Sequence, residues 1–147
     1  MLTMKANYLL TTLIFVLSLS TNAISQSVTA SKILSYLKSQ SQIEISKDLV
    51  KIGFVFDKKY TEPNLTEYSY NKNGNYGIEK FNISFNDELF MIVYKPANSY
   101  SSMKEIMLTN DFVYSYSYKN NKYYVNGSMR IGINDTSGII SFFVKLK

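Results

Sequence analysis

The chain has 147 residues and a formal net charge of +5; it contains 13 tyrosines and 9 phenylalanines but no histidine or cysteine. The absence of histidine and cysteine excludes imidazole and thiolate catalysis, disulfide bonds and the usual zinc or copper sites. The positive charges are scattered lysines with Arg130 as the single arginine, whereas nucleic-acid sites favour clustered charge and arginine, so we expect no nucleic-acid partner.

The N-terminal residues 1–25 have the layout of a secretory signal peptide. Lys5 supplies a positive start, Leu9 to Ser20 forms a short apolar run, and small residues follow up to Ser25. The run is too short to span a bilayer, which requires about 20 apolar residues. We therefore expect cleavage near Ser25, no stable membrane span afterwards, a secreted or periplasmic location, and a single α+β domain over residues 26–147.

The first predicted helix covers Thr29 to Gln40. Its apolar residues Ile33, Leu34 and Leu37 recur at the spacing of one helix side, and Thr29 or Ser31 can cap its start. We expect this side to pack on a sheet.

Two further helices are predicted by their capping patterns. One lies between Ser41 and Gly53, starts at Ser41 or Ser46, and turns Leu49, Val50 and Ile52 inward. The other is Ser101 to Leu108, with Ser102 and Glu105 as a capping box.

Strand patterns fill most of the remaining chain. The predicted strands are Phe54–Lys58, Glu67–Asn71, Lys80–Phe85, Leu89–Lys95, Phe112–Tyr118, Lys122–Ile133 and Ile139–Lys145. We therefore predict an α+β fold in which two or three helices pack on one face of an antiparallel sheet of about seven strands.

The chain has weak internal similarity between its two halves. Lys47–Phe56 resembles Lys104–Tyr114, and Asn82–Asp87 resembles Arg130–Asp135. These short matches indicate either two duplicated helix-plus-meander halves or two segments that share only a common order of elements.

The aromatic segment Phe112–Val125 reads as a hairpin with Asn120-Asn121 at its turn, because asparagine tolerates the positive φ of tight turns. In this register one side of the ribbon is apolar and the other is mostly polar, so we expect the apolar side to be buried beneath the helices. The residues expected on the buried side are Phe112, Tyr114, Tyr116, Tyr118, Tyr123, Val125 and Met129.

A second hairpin is predicted with its turn at Asp87-Glu88. This register pairs Phe85 with Phe90, Ile83 with Ile92, and Phe81 with Tyr94, so one side is wholly apolar. The reverse side is mixed, and its residues Leu89, Met91 and Val93 indicate a second buried face, an oligomer contact or a partner surface.

Tyrosine hydroxyls require polar partners or water, so we expect the distal end of the aromatic hairpin to form a solvated rim. Such a rim could stack against a sugar or contact a protein. The candidate binding rim consists of Tyr118, Asn120, Asn121, Lys122, Tyr123 and Tyr124.

The inventory of reactive groups favours a protein without catalytic, cofactor or metal sites. S-x-x-K pairs occur at Ser35/Lys38, Ser69/Lys72 and Ser101/Lys104, but the companion motifs of serine–lysine hydrolases are absent. The Asn-rich loop from Asn71 to Glu79 brings too little negative charge for calcium.

The sequence thus predicts an exported, non-catalytic binding or interaction protein of the bacterial envelope or extracellular space, with a protein or glycan as its partner. An inhibitor or immunity-type protein that acts on a secreted partner is the alternative, followed by a small hydrolase.

Overall fold

The computed structural model describes residues 27–147, so the signal peptide predicted for residues 1–25 lies outside the described part of the chain. In this part, three helices pack on one face of an eight-stranded antiparallel sheet, which confirms the predicted α+β class. No helix between residues 27 and 147 is long and apolar enough to cross a bilayer.

The elements follow one another as two helices, a four-stranded meander, a third helix and a second four-stranded meander. The helices are α1 (Ala30–Ser39), α2 (Gln42–Lys51) and α3 (Tyr100–Met107). The strands are β1 (Val55–Glu62), β2 (Leu65–Gly74), β3 (Gly77–Phe85), β4 (Leu89–Lys95), β5 (Val113–Tyr118), β6 (Asn121–Asn126), β7 (Met129–Asn134) and β8 (Ile139–Lys145).

The two meanders join along their last strands. The sheet order is β1-β2-β3-β4-β8-β7-β6-β5, and β4 pairs with β8 antiparallel, with Ile92 opposite Phe142. Each meander follows a helix, α2 or α3, so both halves have the helix-plus-meander order. The first strand of each meander becomes an edge of the sheet.

The eighth strand arises where a single strand was predicted. The segment Lys122–Ile133 divides into β6 and β7 at a two-residue turn, Gly127-Ser128, and Gly127 has a φ of +54°. Glycine adopts this φ without the steric clash that a Cβ introduces, so Gly127 favours the hairpin turn at this point.

The starts of the first two helices match the predicted caps. The Thr29 hydroxyl accepts from the Lys32 amide, and the Ser41 hydroxyl accepts from the Glu44 amide, both at 3.3 Å. The predicted capping box at Ser102 is wrong, because α3 begins at Tyr100 and Ser102 lies inside it.

The inward sides of the helices differ in part from the prediction. Ile33 and Leu37 of α1 are buried, but Leu34 faces solvent; in α2, Ile45 and Leu49 are buried and Val50 is exposed. Leu34 and Val50 fall just outside the narrow side that each short helix turns to the sheet.

The core lies between the helices and the central strands. The Phe81 ring is fully buried and makes ring contacts with Tyr36 of α1, with Phe54, which precedes β1, and with Tyr94 of β4, at centroid distances of 6.0, 6.2 and 5.6 Å. The predicted register of the β3–β4 hairpin is confirmed, since Phe81 pairs with Tyr94 and Ile83 with Ile92.

The predicted burial of the aromatic hairpin is wrong for the tyrosines of β5, although Phe112 and Met129 pack partly buried against the core. Every residue of β5 is exposed, including Tyr114 (54%) and Tyr116 (40%). The turn lies at Lys119-Asn120 rather than Asn120-Asn121, and Lys119 has the positive φ of 52°. Tyr116 therefore pairs with Tyr123 instead of Val125.

A β-bulge divides the tyrosines of β5 between the two faces of the sheet. The register shifts between Tyr114 and Tyr116, so the extra residue Ser115 reverses the alternation of faces along β5. Tyr114 pairs with Tyr124 on the side of the helices, whereas Tyr116 lies on the opposite side. The tyrosines of β5 consequently do not form one buried layer.

Candidate functional site

The sheet face opposite the helices, here called the open face, carries no covering element in the described part of the chain. Cross-strand partners share a face of a sheet, so the registers give the composition of this surface. From β5 to β1, one row reads Tyr116, Tyr123, Gly132, Ser141, Val93, Asn82, Ser69 and Lys58, and the next reads Val113, Val125, Arg130, Phe143, Met91, Ser84, Glu67 and Tyr60.

The second meander places an aromatic cluster on this face, formed by Tyr116, Tyr123, Phe143 and Arg130. The rings of Tyr116 and Tyr123 stack with a centroid distance of 4.7 Å and an interplanar angle of 22°. Phe143 lies 6.2 Å from Tyr123, and the Arg130 guanidinium lies 5.7 Å from the Tyr116 ring. The four side chains form a continuous patch across β5 to β8.

Gly132 makes room for this cluster. A Cβ at position 132 would lie 2.9 Å from Cε1 and 3.2 Å from Cδ1 of Tyr123, so the Tyr123 ring rests directly on the β7 backbone. Glycine is unfavourable within a strand, and here its effect is to let a neighbouring ring lie against the sheet.

The first meander makes its part of the open face polar. The Glu67 carboxylate accepts hydrogen bonds from Ser84 Oγ at 3.1 Å and from Ser69 Oγ and Asn82 Nδ2 at 3.3 Å. The sequence left open whether the reverse side of β4 is a second buried face or a contact surface. Its residues Leu89, Met91 and Val93 are half-buried and lie on the open face, at the boundary between the two parts.

The structure divides the binding rim predicted from the sequence. Tyr118, Asn121 and Tyr123 lie on the open face, whereas Lys122 and Tyr124 lie on the helix side of the sheet. Asn120 lies in the turn, and the Lys119 ammonium is 5.4 Å from the Tyr118 ring.

Sequence reasoning missed the partners of Tyr123 in the aromatic cluster. Tyr116 and Tyr123 were both assigned to the buried side, with Tyr118 rather than Tyr116 opposite Tyr123, and Gly132 and Arg130 were placed on one long strand with Tyr123. The dipeptide Asn126-Gly127 was the available signal for a turn within that strand, and the observed turn at Gly127-Ser128 places Gly132 opposite Tyr123. The contact with Phe143 depends on the β7–β8 pairing and had no local signal.

Basic residues form a second feature of the open face. Lys80 and Lys95 lie directly opposite each other in the β3–β4 ladder. They line a cleft of 420 Å³ together with Tyr76, Ile78 and Pro96, which we call the lysine cleft. The ion pairs of residues 27–147 are Lys32–Asp48 and Lys104–Asp135, so neither lysine of the cleft has a carboxylate partner there.

The helix side of the sheet contains a buried polar cluster. Glu79, 3% exposed, pairs across the ladder with the buried Lys72 and accepts hydrogen bonds from the hydroxyls of Tyr94 at 2.7 Å and Ser27 at 2.9 Å. Burial, and then the bond to Glu79, raise the pKa of Tyr94. The cluster ties the start of the described chain to β3 and β4.

Two surface networks fasten the helices. Asp48 of α2 accepts hydrogen bonds from Lys32 and from Tyr36 of α1, and these two bonds hold its pKa below the usual value. Asp135, in the β7–β8 turn, likewise accepts from Lys104 and Tyr100 of α3 and has a lowered pKa. Both networks are structural contacts on the side of the molecule away from the open face.

The S-x-x-K pairs do not assemble one site. Ser69 faces the open side of β2 and pairs with Asn82, whereas Lys72 faces the helices and pairs with Glu79. Ser35/Lys38 lies on α1 and Ser101/Lys104 on α3.

Within residues 27–147 no group of three or more acidic residues could hold a metal ion. Comparisons with protein-family models, with curated proteins and with solved structures give no match.

Proposed function

We propose that this chain is an exported, non-catalytic protein-binding protein that docks a folded partner with an acidic surface on its open face. The observation that carries the proposal is the aromatic cluster of Tyr116, Tyr123, Phe143 and Arg130 on a sheet face that no described element covers.

The composition of the cluster supports a protein partner. Tyrosine and arginine are enriched at the energetically dominant positions of protein interfaces. Stacking against a sugar requires free ring faces, but one face of Tyr123 lies on Gly132 and Tyr116 stacks against Tyr123. This favours a protein over the glycan that the sequence left open.

The charges on the open face support an acidic partner surface. Basic residues outnumber carboxylates there: Lys58, Lys80, Lys95, Arg130 and Lys145 stand against Glu62 and Glu67. Glu67 is further occupied by three internal hydrogen bonds. Charge complementarity of this kind steers association and excludes basic partners.

The edges of the sheet support docking on the face rather than strand addition. Both edge strands carry a β-bulge, between Phe56 and Lys58 in β1 and between Tyr114 and Tyr116 in β5. Bulges interrupt the regular outward pattern of backbone donors and acceptors that an added strand requires.

The exposed apolar residues on the helices have a different character. Leu34, Ile43, Val50 and Ile106 are exposed and are distributed over three separate helices. Single exposed apolar residues are common on monomeric proteins and need no partner. They provide matched control positions.

Site-specific photo-crosslinking in the cells that produce the protein tests the proposal. We place p-benzoylphenylalanine at position 143 on the open face and, as the control, at position 43 on α2, where Ile43 is 64% exposed. We expect one crosslinked product of defined mass from position 143, and none from position 43. Its loss in a Tyr123→Ala background supports the aromatic cluster as the contact.

The absence of a product at position 143, or equal products from both positions, would overturn the proposal. A product that contains lipid rather than a polypeptide would also overturn it, because the face would then lie on a membrane.

A further inference from the structure

We infer that the lysine cleft is a carboxylate-binding subsite that receives a glutamate or aspartate side chain of the partner protein. This inference rests on the proposed function and names the chemistry of one contact on the open face. The observation behind it is the direct cross-strand opposition of Lys80 and Lys95.

The position of the two lysines has an electrostatic consequence. Like charges directly opposite each other in an antiparallel ladder destabilise the strand pair. Asn71 pairs with Lys80 on its other side, and Asn71 has no charge that could compensate. The nearest residues of the cleft, Tyr76, Ile78 and Pro96, are also uncharged, so an anion between the two ammonium groups removes the repulsion.

The walls of the cleft suit a carboxylate on a peptide rather than a small free anion. Tyr76 is 75% exposed and Ile78 is 52% exposed, so both offer apolar surface beside the ammonium groups. A carboxylate that arrives with aliphatic carbon and backbone can bury this surface, whereas phosphate or acetate cannot. A volume of 420 Å³ accommodates a side chain with its flanking backbone.

The cleft is also placed to act together with the aromatic cluster. Lys95 lies on β4, three strands from Tyr123 on β6 and two residues beyond its row, which is about 16 Å at the usual strand spacing and rise per residue. A standard interface extends over a larger area than this separation, so one partner can contact both.

Titration of the ¹⁵N-labelled protein with an acetylated octaglutamate peptide tests the inference. We expect the largest amide shifts at Tyr76, Lys80 and Lys95, with no localised response to octalysine or to acetate at the same carboxylate concentration. Lys95→Glu should weaken peptide binding at least tenfold, whereas Lys47→Glu on α2, which removes the same net charge, should leave it nearly unchanged.

The same variant supplies a control for misfolding. Lys95→Glu replaces a like-charge pair with an opposite-charge pair, so we expect a higher midpoint of urea unfolding together with the loss of binding. A general folding defect would instead lower the midpoint of unfolding together with the affinity for the peptide.

Two results would overturn the inference: shifts spread evenly over Lys47 and the other helix lysines, or binding that survives Lys95→Glu. The crosslink at position 143 reports separately on the proposed function. If this crosslink persists in Lys95→Glu and the affinity for the partner protein is unchanged, the partner docks without the subsite. If octaglutamate binds the cleft but no crosslink forms, the subsite exists and the protein-binding function is wrong.

Discussion

Substitution of Gly132 by alanine tests how the aromatic cluster is built. The added Cβ would lie 2.9 Å from Cε1 of Tyr123, a separation that real Cβ atoms essentially never show, so one of the two groups must move. The Tyr123 ring is the far end of a side chain on a face without cover, whereas Gly132 is fixed between two ladder partners. We therefore expect the ring to move.

Two opposing terms set the magnitude. Loss of the Tyr116–Tyr123 stack destabilises the fold by about 0.5–1.5 kcal/mol. Replacement of glycine by alanine within a strand stabilises it by about 0.5–1 kcal/mol, because the unfolded chain loses conformational freedom. The free energy of unfolding should therefore change by less than about 1 kcal/mol, while the surface changes shape.

Urea unfolding measures the free energy, and NOESY spectra measure the ring position. We expect the cross-peaks between the Tyr123 ring and Phe143 to weaken or vanish in Gly132→Ala. Ser141→Ala is the matched control, since Ser141 lies opposite Gly132 on the open face and its substitution adds no atom. In this variant the cross-peaks between the Tyr123 ring and Phe143 should persist. Unchanged Tyr123 cross-peaks, or a loss of more than about 3 kcal/mol, would refute the reasoning, because the backbone would then have absorbed the clash.

Three further predictions concern the fold. Phe81→Ala should lower the free energy of unfolding by about 3–5 kcal/mol in urea titrations, since Phe81 is fully buried between three rings; a loss below 2 kcal/mol would contradict its central position. Tyr94 has a raised pKa, so its neutral form contributes stability that is present below pH 10 and lost as the pH rises further. In Tyr94→Phe the melting temperature should therefore fall less steeply above pH 10, and an unchanged pH dependence would contradict this. Asp48 has a lowered pKa, so its stabilisation is present above pH 3.8 and lost as the pH falls below it. In Asp48→Asn the melting temperature should therefore fall less steeply at acid pH, and an unchanged pH dependence would contradict the Lys32–Asp48 contact.

The β3–β4 hairpin shows what local patterns can predict. The alternation of apolar and polar residues in its two strands and the position of its turn specify the same register. The Asn86 side chain fixes that turn by accepting hydrogen bonds from the amides of Glu88 and Leu89. With the turn in place, one register puts every apolar residue on one side, and the structure has this register. The fold class followed from the same kind of evidence.

The β5–β6 hairpin shows where such patterns fail. Tyrosine and serine alternate through β5 without interruption, and nothing in this alternation reveals that Ser115 is an extra residue. The turn was also placed on the two asparagines, although Lys119 adopts the positive φ. The turn error slid the pairing but kept Tyr116 and Tyr123 on one side, whereas the bulge separates Tyr114 from Tyr116. The side that faces the helices is set by the β6–β7 pairing, in which Tyr124 lies opposite the buried Ile131, and the sequence pattern of the hairpin does not reveal this.

The candidate site depended on information beyond local pattern. The aromatic cluster needs β6, β7 and β8 side by side, and the composition of the open face needs the β4–β8 contact between the two meanders. No single hairpin specifies that contact. Residues such as Gly132 acquire a role only once the neighbouring strand is known.

In-cell hydroxyl-radical footprinting tests the central claim, that the open face is bare in the isolated chain and covered by a partner in the cell. In the purified protein we expect Tyr116 and Tyr123 to be modified and Tyr94 to be protected. In the producing cells we expect Tyr116 and Tyr123 to become protected while Tyr114, on the other side of the same edge strand, is still modified. Equal modification of Tyr116 and Tyr114 in both settings would contradict the claim.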